Sequence, residues 1–289
     1  MCGVAFFWPL PGVGELAPQY EWNGYARVTY EGPEPSREHR IGYLCALLEG
    51  VEAMTGGPGS LVDMGCSSGH FLEAGRRRGW KATGIELDPE TARRTSERCQ
   101  VPVIAGSGVE ELDRLGEFDL IVMSHWLEHL PDPYRAFSVA RRHLTPNGRI
   151  LLRVPNADSQ LARATGVTWS WFIPGIHLFY FGPRSIRALA RRSGLEVGQL
   201  RSGRGDAHPL PVEIAVAAFR GLSAGPGELD RRGGRSRSAL RSSASQLLGG
   251  RMYGLERGLG AFALREDPDG PELVAVLKIP RPGGSPGAP

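Results

Sequence analysis

SLVDMGCSSG, running from Ser60 to Gly69, decides the fold: an apolar run carries an acid, Asp63, near its end, passes through a turn with Gly65 and Gly69, and leads into helical spacing over residues 70–78. A buried strand feeding a helix through a tight loop has this form. Gly79 supplies the helix stop. The alternation then repeats. Residues 81–87 read as a strand, 89–99 as a helix, and 101–105 and 118–124 as further strands. Asp132 and Pro133 suit the cap and first turn of a helix running to His143, and Thr145-Pro146-Asn147-Gly148 turns into a strand over 149–154. Pro183 opens a helix that Gly194 closes, with Ile186, Leu189 and Ala190 on one face, and residues 195–200 and 272–279 supply two last strands. This order predicts an α/β fold, doubly wound, whose mainly parallel seven-stranded sheet is covered by helices on both faces. Ligands of such sheets sit beyond the carboxyl ends of the strands, so the site belongs after Asp63, Glu86 and Ser124.

The 289 residues, 41% of them hydrophobic, suffice for one large core with appended segments. Helical spacing over 38–54 sets the start of that core near residue 37. The expected organisation is an N-terminal arm over 1–36, a core over 37–200, an insertion or lid over 201–271, the last core strand over 272–280 and a disordered tail over 281–289. The insertion is rich in Gly, Ser and Arg and reads as partly flexible, with helical stretches near 212–219 and 236–248. A formal charge of +3 and a basic run from Arg231 to Arg241 without aromatics do not make a nucleic-acid-binding face, and none is expected. No run approaches the roughly 18 to 20 apolar residues of a membrane span, and Met1 to Leu10 lack the basic start of a secretory signal. The expectation is a soluble, cytoplasmic protein, monomer or homodimer, with no membrane partner. Cys2, Cys45, Cys66 and Cys99 are scattered, which predicts neither disulfides nor a metal site.

At the centre of the site, Gly65 and Gly69 let the turn pass close to a ligand, and Glu86 at the next strand end can accept both hydrogen bonds of a ribose diol. A dinucleotide fingerprint, G-x-G-x-x-G, requires glycine where Ser67 stands. The spacing D-x-G-x-x-x-G instead resembles the first motif of the class I methyltransferases that use S-adenosylmethionine (SAM), with Glu86 matching their ribose-binding acid. Phe118 to Val122 with Leu127-Glu128-His129-Leu130-Pro131-Asp132-Pro133 is similar to the fourth strand and following loop of that superfamily, and Leu144 to Ile150 to its turn into the fifth strand. Residues 179–197 resemble its late helix and outer strand. The resemblance covers roughly residues 40 to 200 in order, and it implies a Rossmann-like fold and SAM as cofactor.

By that resemblance Asp63 and Gly65 meet the methionine end of the cofactor, Gly106 and Ser107 border the adenine, and Cys66, Ser67, Gly69, Ser124 and His125 are further cofactor-binding residues. Ser107 departs from the Asp of many relatives, which shifts the adenine amino contact to another group or to the backbone. Cys66 reads as a small packing residue, since displacement from a sulfonium needs no covalent enzyme intermediate. A methyltransferase must hold its acceptor in line and take a proton from a poor nucleophile. His129, in the loop after the fourth strand, is the candidate base, as a histidine in that position is proposed to be in some sugar C-methyltransferases. His177, within the aromatic segment from Trp169 to Tyr180, is the second catalytic candidate; that segment suits either an acceptor pocket or core.

Cys2-Gly3-Val4-Ala5-Phe6-Phe7-Trp8-Pro9 resembles the exit from the zinc module that precedes many bacterial sugar and natural-product methyltransferases, but the other ligands are missing and no zinc is expected. The resemblance implies a small acceptor: a sugar, a glycan or a secondary metabolite. Tyr20, Tyr25 and Tyr30 could cover it or pack the arm. Two alternatives stand beside this reading. One is a noncatalytic scaffold that keeps the fold, or SAM, inside a biosynthetic complex. The other is an RNA 3′-end methyltransferase, whose metal cluster His125, Glu128 and His129 resemble, although that pattern has Glu at the place of His125 and a further histidine.

Overall fold

The computed structural model describes residues 3–10, 34–203 and 270–280. Tyr20, Tyr25, Tyr30, Cys2, the insertion helices and the tail expected from sequence lie outside these residues. The chain runs β1 (Ala5–Phe6), α1 (Glu34–Thr55), β2 (Ser60–Met64), α2 (His70–Arg77), β3 (Lys81–Glu86), α3 (Pro89–Cys99), β4 (Val103–Ala105), α4 (Gly108–Leu112) and β5 (Phe118–Ser124). After a single tight turn of helix (Leu127–His129) come α5 (Pro133–Arg142), β6 (Leu144–Pro155), α6 (Gln160–Thr165), β7 (Phe179–Tyr180), α7 (Pro183–Arg192), β8 (Glu196–Gly203) and β9 (Glu272–Lys278).

The main sheet has seven strands in the order β4-β3-β2-β5-β6-β9-β8. Pairs from β4 to β6 are parallel, whereas β9 runs antiparallel to both β6 and β8. Strand order reverses between β2 and β5, and crevices open at such reversals. Alternation along the central strands splits the core in two. Val62, Met64, Ile121, Met123, Ile150 and Leu152 pack toward α4, α5 and α7, while Leu61, Leu120, Val122 and Leu151 pack toward α1 and α2. Each fully buried side chain of this kind contributes about 1.5–3 kcal/mol.

Local chemistry fixes the element ends. Asp88 accepts the Thr91 N–H at 2.7 Å and Asp132 the Arg135 N–H at 2.9 Å, each beside a proline in the first helical turn. Such caps contribute about 1 kcal/mol apiece. The first core helix starts at Glu34, ahead of the apolar period that placed it near residue 37, because a polar first turn leaves no apolar signature. The Thr145–Gly148 turn lies inside β6: the register jumps from Phe118 opposite Leu144 to Leu120 opposite Arg149, and the turn bulges out. A Cβ on Gly148 would stand 2.8 Å from the Phe118 carbonyl oxygen, so glycine is required there. The arm, aperiodic in sequence, contributes β1, which pairs antiparallel with β7. Among the described residues no helix is long and apolar enough to cross a membrane.

Candidate active site

Both halves of the site lie at the reversal between β2 and β5. On the β2 side, Asp63 is 3% exposed and the chain then turns through Gly65, Ser67 and Gly69, all with positive φ. Gly65 is held to glycine by its φ of 66° and by the Trp126 indole, which occupies the space a Cβ would take. A Cβ on Gly69 would stand 2.6 Å from Thr95 Cγ2 and 2.7 Å from Cys99 Sγ, so α3 packs hard against the turn. Glu86, buried at the end of β3, accepts the Ser67 N–H at 2.8 Å and the Asp88 N–H at 3.2 Å. Each carboxylate oxygen still has a second lone pair for a ribose hydroxyl.

Burial pushes the Asp63 carboxyl well above the ordinary carboxylate range; Glu86 adds to this and Arg153 opposes it. Burial also raises Glu86, against the N–H groups that favour its anion. Two buried carboxyl groups with too little cationic compensation suit a ligand that brings positive charge and a diol. Cys66 turns its thiol inward, where a Cβ on Gly84 would stand 2.7 Å from its Sγ, and burial raises that thiol well above its usual range. Gly106 donates its N–H to the Glu86 carbonyl at 2.8 Å. The Ser107 hydroxyl bonds to Glu110, at the start of α4.

On the β5 side the chain leaves the sheet at Ser124, whose hydroxyl accepts from Arg153 Nη1 at 3.1 Å. His125 follows with φ 50°, and its imidazole turns to Glu272, at 2.7 Å, to Glu128, at 3.5 Å, and to the face of Trp171, 5.1 Å away between ring centroids. It therefore belongs to the second half of the site rather than to the cofactor turn. Burial lowers the basicity of His125, but Glu128 and Glu272 outweigh it and hold the imidazolium up to a pKa of about 9. Burial raises Glu128, which is 1% exposed, and the neighbouring histidines, His125 first, hold it below the usual range.

His129 and His177, far apart in sequence, stand edge to face with ring centroids 4.8 Å apart. His129 Nδ1 lies 3.1 Å from the Ile176 carbonyl oxygen and His177 Nδ1 2.8 Å from that of Trp171. Burial lowers both pKa values, that of His177 to about 3, so both rings are neutral near pH 7. Leu178 N–H bonds to the Glu128 carbonyl at 2.8 Å and ties the aromatic segment to the loop after β5. Trp171, Phe172 and Tyr180 extend an aromatic wall from the two histidines.

Three site residues escaped the sequence reading. Trp126 lies over Gly65 and also over Gly108, where a Cβ would stand 2.5 Å from its Cζ2. Arg153 and Glu272, each 2% exposed, join through a 2.7 Å ion pair beneath the site. The signal for the two charged residues was present: each is a charge flanked by apolar residues in a strand, and charges are buried only when paired.

Residues 36–200, more than half of the chain, match the family described as a methyltransferase domain. A ubiquinone biosynthesis O-methyltransferase of Xanthomonas axonopodis pv. citri is 30% identical over 171 residues, covering 55% of this chain and 69% of that protein. The protein of the same name from Pseudomonas aeruginosa is 28% identical over 151 residues, or 47% of this chain and 64% of that one, so the match spans just under two thirds of its length. A SAM-dependent methyltransferase from Archaeoglobus fulgidus shares the fold, with a TM-score of 0.51 at 16% identity over 89% of this chain and 96% of that one. The glycine turn, the buried acid at the end of β3 and the strand order thus meet the family match on the same residues, and the chain belongs to the methyltransferase domain family, with SAM as its methyl donor.

Proposed function

We propose that the chain methylates a hydroxyl oxygen of a small, ring-bearing acceptor, a sugar or an aromatic secondary metabolite, seated against Trp171 and the histidine pair. The observation that carries this reading is the cluster of buried Glu128 and His177 with half-buried His129 beside an aromatic wall, at the same strand end as the cofactor turn. The O-methyltransferase names of the curated relatives support oxygen as the accepting atom.

SAM supplies a methyl group on a sulfonium, so displacement needs a nucleophile placed in line and relieved of its proton. Glu86 fixes the ribose, Asp63 faces the cationic methionine end, and the turn at Gly65 brings the backbone close. The acceptor's proton is lost at the cluster. His129, kept neutral by burial, is able to take it, and the Glu128 anion stabilises the imidazolium that results.

Calorimetric titration with SAM, S-adenosylhomocysteine and NAD tests the cofactor half. Binding of the first two and not of NAD, weakened at least about tenfold (~1.4 kcal/mol) by Glu86→Ala, is expected. Release of S-adenosylhomocysteine over a panel of phenols and sugars tests the other half, with His129→Ala lowering turnover about 10²- to 10⁴-fold at unchanged SAM affinity. A folded protein that does not bind SAM would overturn the reading.

A further inference from the structure

We propose that Trp126 is a cofactor-binding residue, its indole stacking on the adenosine of SAM. Glycine at two positions makes room for that ring. A Cβ on Gly65 would stand 3.1 Å from both Trp126 Cγ and Nε1, and a Cβ on Gly108 would stand 2.5 Å from its Cζ2. The five-membered ring thus lies over the turn after β2 and the six-membered ring over the start of α4. Glycine is a poor helix former, yet it opens α4 at a place where a side chain would collide with the indole.

Both of these loops are tied to Glu86. Ser67, in the turn, donates its N–H to the Glu86 carboxylate at 2.8 Å, and Gly106, two residues before Gly108, donates its N–H to the Glu86 carbonyl at 2.8 Å. A ribose held by the Glu86 carboxylate therefore sits between the two loops that the indole spans, and the base it carries reaches the ring. A flat aromatic side chain holds a purine by its face, with no need of hydrogen bonds to its edge. The Ser107 hydroxyl, on the same border, is already bonded to Glu110, so stacking supplies what that side chain does not.

The indole is also seated as a ligand surface and not as a core residue. It packs against the core cluster that contains Met64, Val109 and Leu112, but it is only half-buried. Trp80, by contrast, is 4% exposed and donates its Nε1–H to Glu52 at 2.9 Å, as buried indoles do. The N–H of Trp126 has no hydrogen-bond partner among the described residues. What the core leaves uncovered is an aromatic surface with a free donor, beside the turn that takes the cofactor.

This role depends on SAM as the methyl donor and not on which acceptor is methylated. Removing the aromatic side chain from a base stack weakens binding roughly 5- to 150-fold. Wild type, Trp126→Ala and Trp126→Phe are titrated calorimetrically with S-adenosylhomocysteine, and tryptophan emission is followed in parallel titrations. Trp126→Ala should bind at least about fivefold more weakly than wild type. Wild-type emission should fall on binding, because a stacked purine quenches an excited indole, and most of that fall should be missing from Trp126→Phe. A ring that only braces Gly65 would not produce this optical change, and either variant alone decides if the other does not fold. Unchanged affinity in Trp126→Ala, or an emission that stays constant in the wild type or falls as far in Trp126→Phe, overturns the stack and leaves the methyltransferase reading standing. A folded wild type that binds neither S-adenosylhomocysteine nor SAM overturns that reading, and the stack with it.

Discussion

Glu272 Oε1 stands 2.7 Å from His125 Nε2 and 2.7 Å from Arg153 Nη2, so two cations beneath the site share one carboxylate at the head of the last strand. Its other oxygen accepts from Tyr43 of α1 at 3.2 Å. Removing it leaves Arg153 buried without its anion. Glu272→Ala is expected to cost about 3–5 kcal/mol in denaturant unfolding, and a loss below about 1 kcal/mol would contradict this account.

The same pair makes stability depend on alkaline pH. His125 titrates near 9 in the folded chain against an ordinary value of 6.5. Its folded pKa is raised, so the stabilisation is complete below the unfolded value and disappears as pH rises through the folded one. Between about pH 6 and pH 10 the wild type should lose roughly 3 kcal/mol more than His125→Gln. Parallel unfolding curves for the two proteins across that range would exclude a charged His125.

Cofactor affinity should fall in acid. Asp63 and Glu86 are both raised by burial, so the free protein takes up protons there before an exposed carboxylate would. SAM is cationic at its methionine end and favours the ionised forms. Calorimetry at descending pH is expected to show weakening affinity, with protons released on binding in buffers of different ionisation enthalpy. An affinity flat with pH, and no release, would mean that neither acid meets the ligand's charge.

Asp119 belongs to the motif that marked the fourth core segment, yet its work is structural. It accepts the Ser60 N–H at 2.9 Å, the Ser60 hydroxyl at 3.0 Å and the Thr145 hydroxyl at 2.9 Å, stitching β2, β5 and the β6 bulge at the end of the sheet away from the site. Burial raises its pKa, but these donors win and leave it lowered. The stabilisation is present above the unfolded value and is lost as pH falls through the folded one. Asp119→Ala should cost about 1–3 kcal/mol and leave SAM affinity in the folded protein unchanged; a tenfold drop in that affinity would place Asp119 in the cofactor site.

The order of strands and helices was legible because each carries a local signature: apolar runs, a proline after an aspartate, a glycine after the last helical residue. Glu86 and the Gly65 turn were legible for the same reason, lying at strand ends fixed by neighbours in sequence. Contacts such as Glu272 with His125 were not, since they depend on β9 inserting between β6 and β8, which no local pattern encodes. His177 shows the boundary. Its aromatic surroundings marked it as a candidate, but only the fold sets its ring against His129.

Trp126 offers the sharpest separation of backbone and side-chain causes. Gly65 has two reasons to be glycine: a φ of 66° and the indole pressed against it, with Trp126 Cγ 3.1 Å from where a Cβ would sit. Gly65→Ala meets both, and the left-handed conformation alone costs an L-residue about 1–2 kcal/mol. Trp126→Ala removes the steric cause and leaves the backbone one. In a double-mutant cycle, Gly65→Ala should therefore be markedly less destabilising on the Trp126→Ala background, with a coupling of roughly 0.5–3 kcal/mol and a residual loss near the backbone cost. Equal losses on both backgrounds would show that the indole yields freely. Trp126 would then be a movable cover over the turn rather than a fixed wall.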